Sequence, residues 1–247
     1  MRGRNLLPAG LALAVSACGS ASAQPPSADA SIQFHKELEL GRQLATELDR
    51  HDSTIKDPVI LGYLQRIANR VASAAGATPP KVRVTRGLDR YARLMPQGTL
   101  YISATLLTRV ENEAELAGLF AHLAGHAAAS ASAAQGNGGD PVFSWPDCIL
   151  AAQLSPVKPA EEHREAERSA TAFATQTLRA AGYDPTAVLD LLSKLAYENP
   201  AWAKAIAPHD LLDLRLTLEA QAPPRAGYVV DSSAFALAKT RVAQAMK

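Results

Sequence analysis

The chain has 247 residues, enough for one medium-sized domain and a targeting segment. Hydrophobic residues make up 47% and aromatics only 5%, so a packed core is available and alanine supplies much of it, which favours close-packed helices over a β-sandwich. The net charge is +1 and no basic patch stands out, so nucleic acid is not an expected partner.

Arg2 and Arg4 followed by the apolar run Leu6 to Val15 read as an export signal over residues 1–23. The run is too short to anchor a chain across a bilayer. Two processing readings stand. Val15-Ser16-Ala17-Cys18 resembles a lipobox with Cys18 as the lipidated residue, and Ala21-Ser22-Ala23 is an A-x-A site. Both put the mature domain in the bacterial cell envelope, periplasmic, and Cys18 acylation would tether it to a membrane as an outer-membrane lipoprotein. Loss of Arg2 and Arg4 takes the net charge from +1 to −1. Cys148 is then left without a partner, so no structural disulfide is expected. Residues 24–31 belong to a tether rich in Ser, Ala and Pro, and residues 32–247 form a single domain.

Leu38, Leu40, Leu44 and Leu48 recur at helical spacing between Phe34 and about Arg50. A second amphipathic helix is predicted from about Pro58 to Ala75, with Ile60, Leu61, Leu64, Ile67, Ala68 and Val71 inward and Asp57 as its cap. Val82 and Val84 alternate with Arg83 and Thr85 as a half-buried strand. Pro96-Gln97-Gly98 is a turn, and Thr99 to Ser103 a second strand that can pair with the first. A long helix begins at about Ala104 or Asn112 and runs to Ala129, and Ala134 to Asp140 is a glycine-rich break. Further helices are predicted at about Pro159–Ala181 with Gly182 as C-cap, at Pro185–Ala196 and at Asp210–Ala222. A short strand at Tyr228–Val230 precedes a last helix from Ser233.

The long helix carries Ala121-His122-Leu123-Ala124-Gly125-His126. Histidines four apart share one helical face, so both imidazoles can reach one metal ion. In H-E-x-x-H the glutamate is the general base acting on zinc-bound water, and here Leu123 occupies its position. A site of this type takes a third, carboxylate ligand from a later helix, and Glu161-Glu162-His163-Arg164-Glu165-Ala166-Glu167 offers several. A charged run of this kind is otherwise a solvated helix face, and the histidines could equally be alanine-packed core residues.

Other segments follow in order. They are Gly41-Arg42-Gln43-Leu44, Asp57-Pro58, Tyr63-Leu64-Gln65-Arg66, Met95-Pro96-Gln97-Gly98 through Tyr101-Ile102-Ser103, Asn112 to Ala117, Gly182-Tyr183-Asp184-Pro185, and Pro208-His209 with Arg215. Together with the histidine pair, they make residues 36 to 245 resemble the HtpX-like and CAAX-prenyl-endopeptidase-like zinc metallopeptidases. The similarity is greatest to the soluble periplasmic β-barrel-assembly-enhancing protease type. The resemblance implies an α+β fold, a helix-dominated zincin-like (gluzincin) domain with a small β-sheet beside the motif helix. It implies zinc held by His122, His126 and Glu165, with His209 as a further residue at the metal.

The departures are Leu123 for the base, Ser169 for a supporting aspartate, Arg168 for the alanine before it, Asp210 for the proline after His209 and Gln97 for a glycine. Losing a positioned base typically costs on the order of 100 to 10,000-fold, and losing a supporting partner roughly 10 to 100-fold. The leading expectation is therefore an exported, catalytically impaired homologue, with zinc weakened or lost, that binds unfolded or assembling envelope proteins in quality control. An active endopeptidase with a relocated base, for which Glu162 is one carboxylate, and a metal-free scaffold or adaptor lipoprotein are the alternatives.

Overall fold

The structure, a computed structural model, describes residues 54–87, 92–95, 98–136, 160–198, 208–221 and 227–247, with scattered helical positions between 39 and 50. The export signal, Cys18, the tether, Cys148 and the residues of the glycine-rich break beyond Gly136 lie outside the described residues.

Helix α1, Pro58–Ala74, starts where the sequence says it should. The Asp57 carboxylate accepts from the Val59 and Ile60 amides at 2.8 and 3.3 Å, and Pro58 opens the first turn. Arg241 donates to the other Asp57 oxygen at 2.8 Å, and that bond holds the Asp57 carboxyl below its ordinary range. The buried face is Ile60, Tyr63, Leu64, Ile67, Ala68, Val71 and Ala72; Leu61 is only half-buried.

Four strands form one mixed sheet in the order β1-β2-β4-β3: β1 Thr54–Ile55, β2 Lys81–Thr85, β3 Ala92–Leu94 and β4 Thr99–Ser103. The two strands expected from alternation, β2 and β4, pair in parallel with Val82 opposite Leu100 and Val84 opposite Ile102. β3 returns antiparallel on the far edge of β4. At two and three residues, β1 and β3 are too short to show alternation, and they went unpredicted.

The expected long helix is two. α2, Ala104–Arg109, is capped by Ser103 and stops at Val110, whose backbone is extended. The Asn112 side chain accepts from the Glu115 amide at 2.8 Å and starts α3, Glu113–Gly136. Lys194 grips the Glu115 carboxylate at 2.9 and 3.2 Å. Between Ala114 and Leu123 nearly every residue of α3 is buried, as befits a helix apolar on all sides, and it runs through the centre of the molecule.

Around α3 pack α1, β3, α4 (Ala160–Ala180) and α5 (Ala187–Glu198). α6 (Pro208–Gln221) lies against α4 and α5, and α7 (Ser233–Ala245) against α1 and α2. Two glycines on α3 set how closely its neighbours come. A Cβ on Gly118 would lie 2.9 Å from Val188 Cβ, and one on Gly125 would lie 2.9 Å from the Ala170 carbonyl oxygen and 3.0 Å from Ala170 Cα. Since backbone atoms cannot step aside, Gly125→Val should lower stability by roughly 1–3 kcal/mol, read as a reduced urea midpoint. The same substitution at exposed Gly76 tests strain alone, because its φ is +65° with no neighbour in reach.

The Gly182-Tyr183-Asp184-Pro185 turn fastens the helices to the C-terminal segment. Gly182 sits at φ +77°, Val229 donates to the Gly182 carbonyl at 2.9 Å, and Val230 accepts from the Ala114 amide at the start of α3 at 2.9 Å. Beneath it, Tyr63 and Tyr183 donate to the buried Glu113 carboxylate at 3.0 and 2.9 Å, and Ser232 donates as well. Burial, with Glu113 next, pushes Tyr183 from 10.0 up to about 12, and Tyr63 moves the same way. A tyrosine whose folded value is raised stabilises the fold fully below pH 10 and loses that contribution as pH climbs towards 12. Stability measured by urea unfolding should therefore fall over that window, with tyrosinate absorbance rising in step with unfolding.

Candidate metal centre

His122 and His126 project from one face of α3, and α4 crosses that face at Gly125. The crossing brings Glu167 to the histidines. His122 Nε2 lies 3.0 Å from Glu167 Oε2, His126 Nε2 lies 3.4 Å from Oε1, and the two Nε2 atoms are 3.2 Å apart. All three residues are buried. A tetrahedral ion with bonds near 2.0–2.1 Å sets its ligand atoms about 3.3 Å apart, so these separations match one face of such a site.

The proton arrangement fits as well. Burial pushes the His122 imidazole below its ordinary value, favouring the neutral ring. Burial alone would raise Glu167, but the hydrogen bonds and charge from His122 and His126 outweigh it and hold the carboxylate ionised. Thr171 Oγ1, whose own proton goes to the Glu167 carbonyl at 2.7 Å, lies 3.4 Å from His122 Nδ1. In the metal-free protein an Nε2 proton of His122 faces the Glu167 carboxylate; with a metal bound, a proton on Nδ1 would face Thr171 and free the Nε2 lone pair for the ion. Neutral imidazole and ionised carboxylate are the ligand states that metal binding requires.

Three expectations are corrected. Glu165 is not at the cluster; it is exposed and pairs with Arg168 across one turn at 3.4 Å. Residues two apart on a helix point about 200° apart. The buried stripe of α4 is Glu167, Ala170, Thr171, Ala174 and Leu178, so Glu165 belongs to the opposite face. Ser169 is exposed on that same outer side, and the supporting contact to His122 comes from Thr171 instead. His209, also outside the cluster, is largely exposed and lies 3.4 Å from Asp210. The sequence signal for Glu167 was available: the apolar stripe of its helix, extended one turn backward, selects it.

Leu123 is buried in the wall of an apolar cavity of about 330 Å³, together with Leu94, Leu100, Phe120, Ala124 and Phe173. The position next to the first histidine is thus filled by hydrocarbon. Among the described residues, the carboxylate in the metal-ligating group is that of Glu167 alone.

Residues 61–138 match Peptidase family M48. Over that segment the chain is similar to the M48 zinc metallopeptidases. The matched segment runs from α1 to the residues just beyond α3, so it includes both histidines and ends before Glu167, whose place in this M48-like centre rests on geometry. No curated protein matches the chain. The helix-dominated α+β architecture with its small sheet agrees with the zincin-like fold of M48 peptidases. If the M48-like centre takes up a zinc ion, His122, His126 and Glu167 would hold it, and the ion would supply Lewis acidity. The chain's own residues set the ligand protonation and seal the helix side with Leu123.

Proposed function

We propose that this protein is an exported M48-type homologue that holds zinc through His122, His126 and Glu167, turns peptide bonds over poorly or not at all, and binds unfolded or assembling envelope proteins. The observation that carries this reading is a convergent, buried ligand set beside a leucine at the base position. A site selected for hydrolysis needs a carboxylate there; a site kept for binding or stability does not. The apolar cavity around Leu123 favours apolar segments of an unfolded chain, and the arginine-led apolar N-terminus with Cys18 supports export and lipid anchoring.

Binding is tested by fluorescence anisotropy of the purified protein with labelled, unfolded casein. Saturable binding with no fragments released over hours is expected, and native, folded control proteins should not bind. Fragmentation of the casein, or no saturable binding, would refute the reading.

A further inference from the structure

The ligand side chains of the metal centre come from two helices, so their geometry has two separate origins. His122 and His126 are one turn apart on α3, and the 3.2 Å between their Nε2 atoms is set within that helix. Glu167 belongs to α4. Its place 3.0 Å from His122 Nε2 and 3.4 Å from His126 Nε2 depends on how near α4 comes to α3. Thr171, 3.4 Å from His122 Nδ1, arrives by the same route.

Gly125 lies at that approach. It follows His122 by three residues and precedes His126 by one, so it faces α4 on the side of α3 that carries both histidines. A Cβ there would stand 2.9 Å from the Ala170 carbonyl oxygen, 3.0 Å from Ala170 Cα and 3.2 Å from Phe173 Cβ. Ala170 sits between Glu167 and Thr171 on the buried stripe of α4. From 2.9 Å to ordinary contact near 3.4 Å is roughly 0.5 Å, and two of the three atoms are backbone, so α4 itself would have to move outward. A metal site accepts deviations of only about 0.2 Å in its bond lengths. The displacement is the larger of the two. Glu167 is 2% exposed, so close packing leaves its side chain little room to make up the difference. The histidine pair, carried on one helix, would stay together.

Resting on the zinc reading above, we propose that Gly125 is a positioning residue of the metal centre: by carrying no side chain it lets α4 bring Glu167 into the ligand set. Gly118, seven residues earlier on α3, provides a comparison within the same helix. A Cβ on it would lie 2.9 Å from Val188 Cβ and 3.0 Å from Val188 Cα. It therefore admits α5 as closely as Gly125 admits α4, and α5 supplies none of the three ligands.

The test is titration with zinc, and with cobalt(II) for its visible spectrum, of the full purified protein, Gly125→Ala, Gly118→Ala, Glu167→Gln and the double variant Gly125→Ala/Glu167→Gln. Gly125→Ala should weaken zinc by roughly 10-fold or more, as for losing a group that orients a ligand. Its cobalt spectrum should match that of Glu167→Gln, and the double variant should bind about as weakly as Glu167→Gln alone, because the two changes remove the same contact. Gly118→Ala should also lower the urea midpoint, but keep zinc affinity within about twofold and the cobalt spectrum of the unaltered protein. Unchanged affinity and spectrum in Gly125→Ala, or equal weakening by Gly118→Ala, would overturn the proposal and leave the zinc site standing. A Gly125→Ala chain that cannot fold would also count against it, since the closeness of α4 would then serve the fold and not the centre. No zinc uptake by the unaltered protein would refute the zinc reading and this role of Gly125 together.

Discussion

Leu123→Glu is expected to give the protein zinc-dependent casein cleavage, on the order of 100 to 10,000-fold above the unaltered chain. The two histidines and Glu167 already converge, so the variant adds the one missing participant, a carboxylate that can take a proton from water. The cavity wall it enters is apolar, so burial will raise its carboxyl towards neutrality, as suits a general base. The same burial makes the metal-free variant less stable, by roughly 1–3 kcal/mol if the acid is protonated and lacks a partner. Zinc should restore much of that loss, because an ion that binds only the folded state stabilises it. His122→Ala added to Leu123→Glu should abolish the gain. A Leu123→Glu protein that binds zinc and stays inert would show that more than the base has been lost.

The second large effect separates two glutamates only two residues apart. Glu167→Gln should weaken zinc binding by more than the roughly 10 to 100-fold typical of a supporting residue, because it removes a direct ligand. Glu165→Gln should leave zinc affinity within about twofold, since an exposed ion pair one helical turn long contributes little. The opposite ranking would restore the pattern-based assignment.

The acid limb of stability should change as well. The Glu167 carboxyl is depressed in the folded protein, so its contribution is present above its ordinary value of 4.5 and is lost only as pH falls well below that. Urea unfolding of the metal-free protein between pH 5 and strongly acid conditions should show this loss, and Glu167→Gln should remove its share. Zinc affinity should rise with pH, because binding requires deprotonated ligands and so releases protons.

Much of this fold was legible in the sequence because its strongest signals are local. Asp57-Pro58, Gly182 and the alternation of Val82 and Val84 each act through a neighbouring hydrogen bond or a single periodic face. The break at Val110 was harder, because Ala104 to Ala129 reads as one helical stretch and only the Asn112 cap shows where it restarts. Strands β1 and β3 owe their existence to pairing with β2 and β4, which no short segment announces.

At the site, the spacing of His122 and His126 was decisive and Leu123 was visible at once. Motif alignment misplaced the third residue by two positions, and helical phase would have corrected it: Ala170, Thr171, Ala174 and Leu178 are small or apolar, and Glu167 continues their line.

The central claim is a metal centre without a base. It is tested most directly by measuring bound zinc and casein cleavage on one purified preparation, alongside His122→Ala. Zinc held by the unaltered protein and lost from the variant, with no cleavage by either, is the predicted result. Zinc-dependent cleavage by the unaltered protein that disappears in His122→Ala would contradict it.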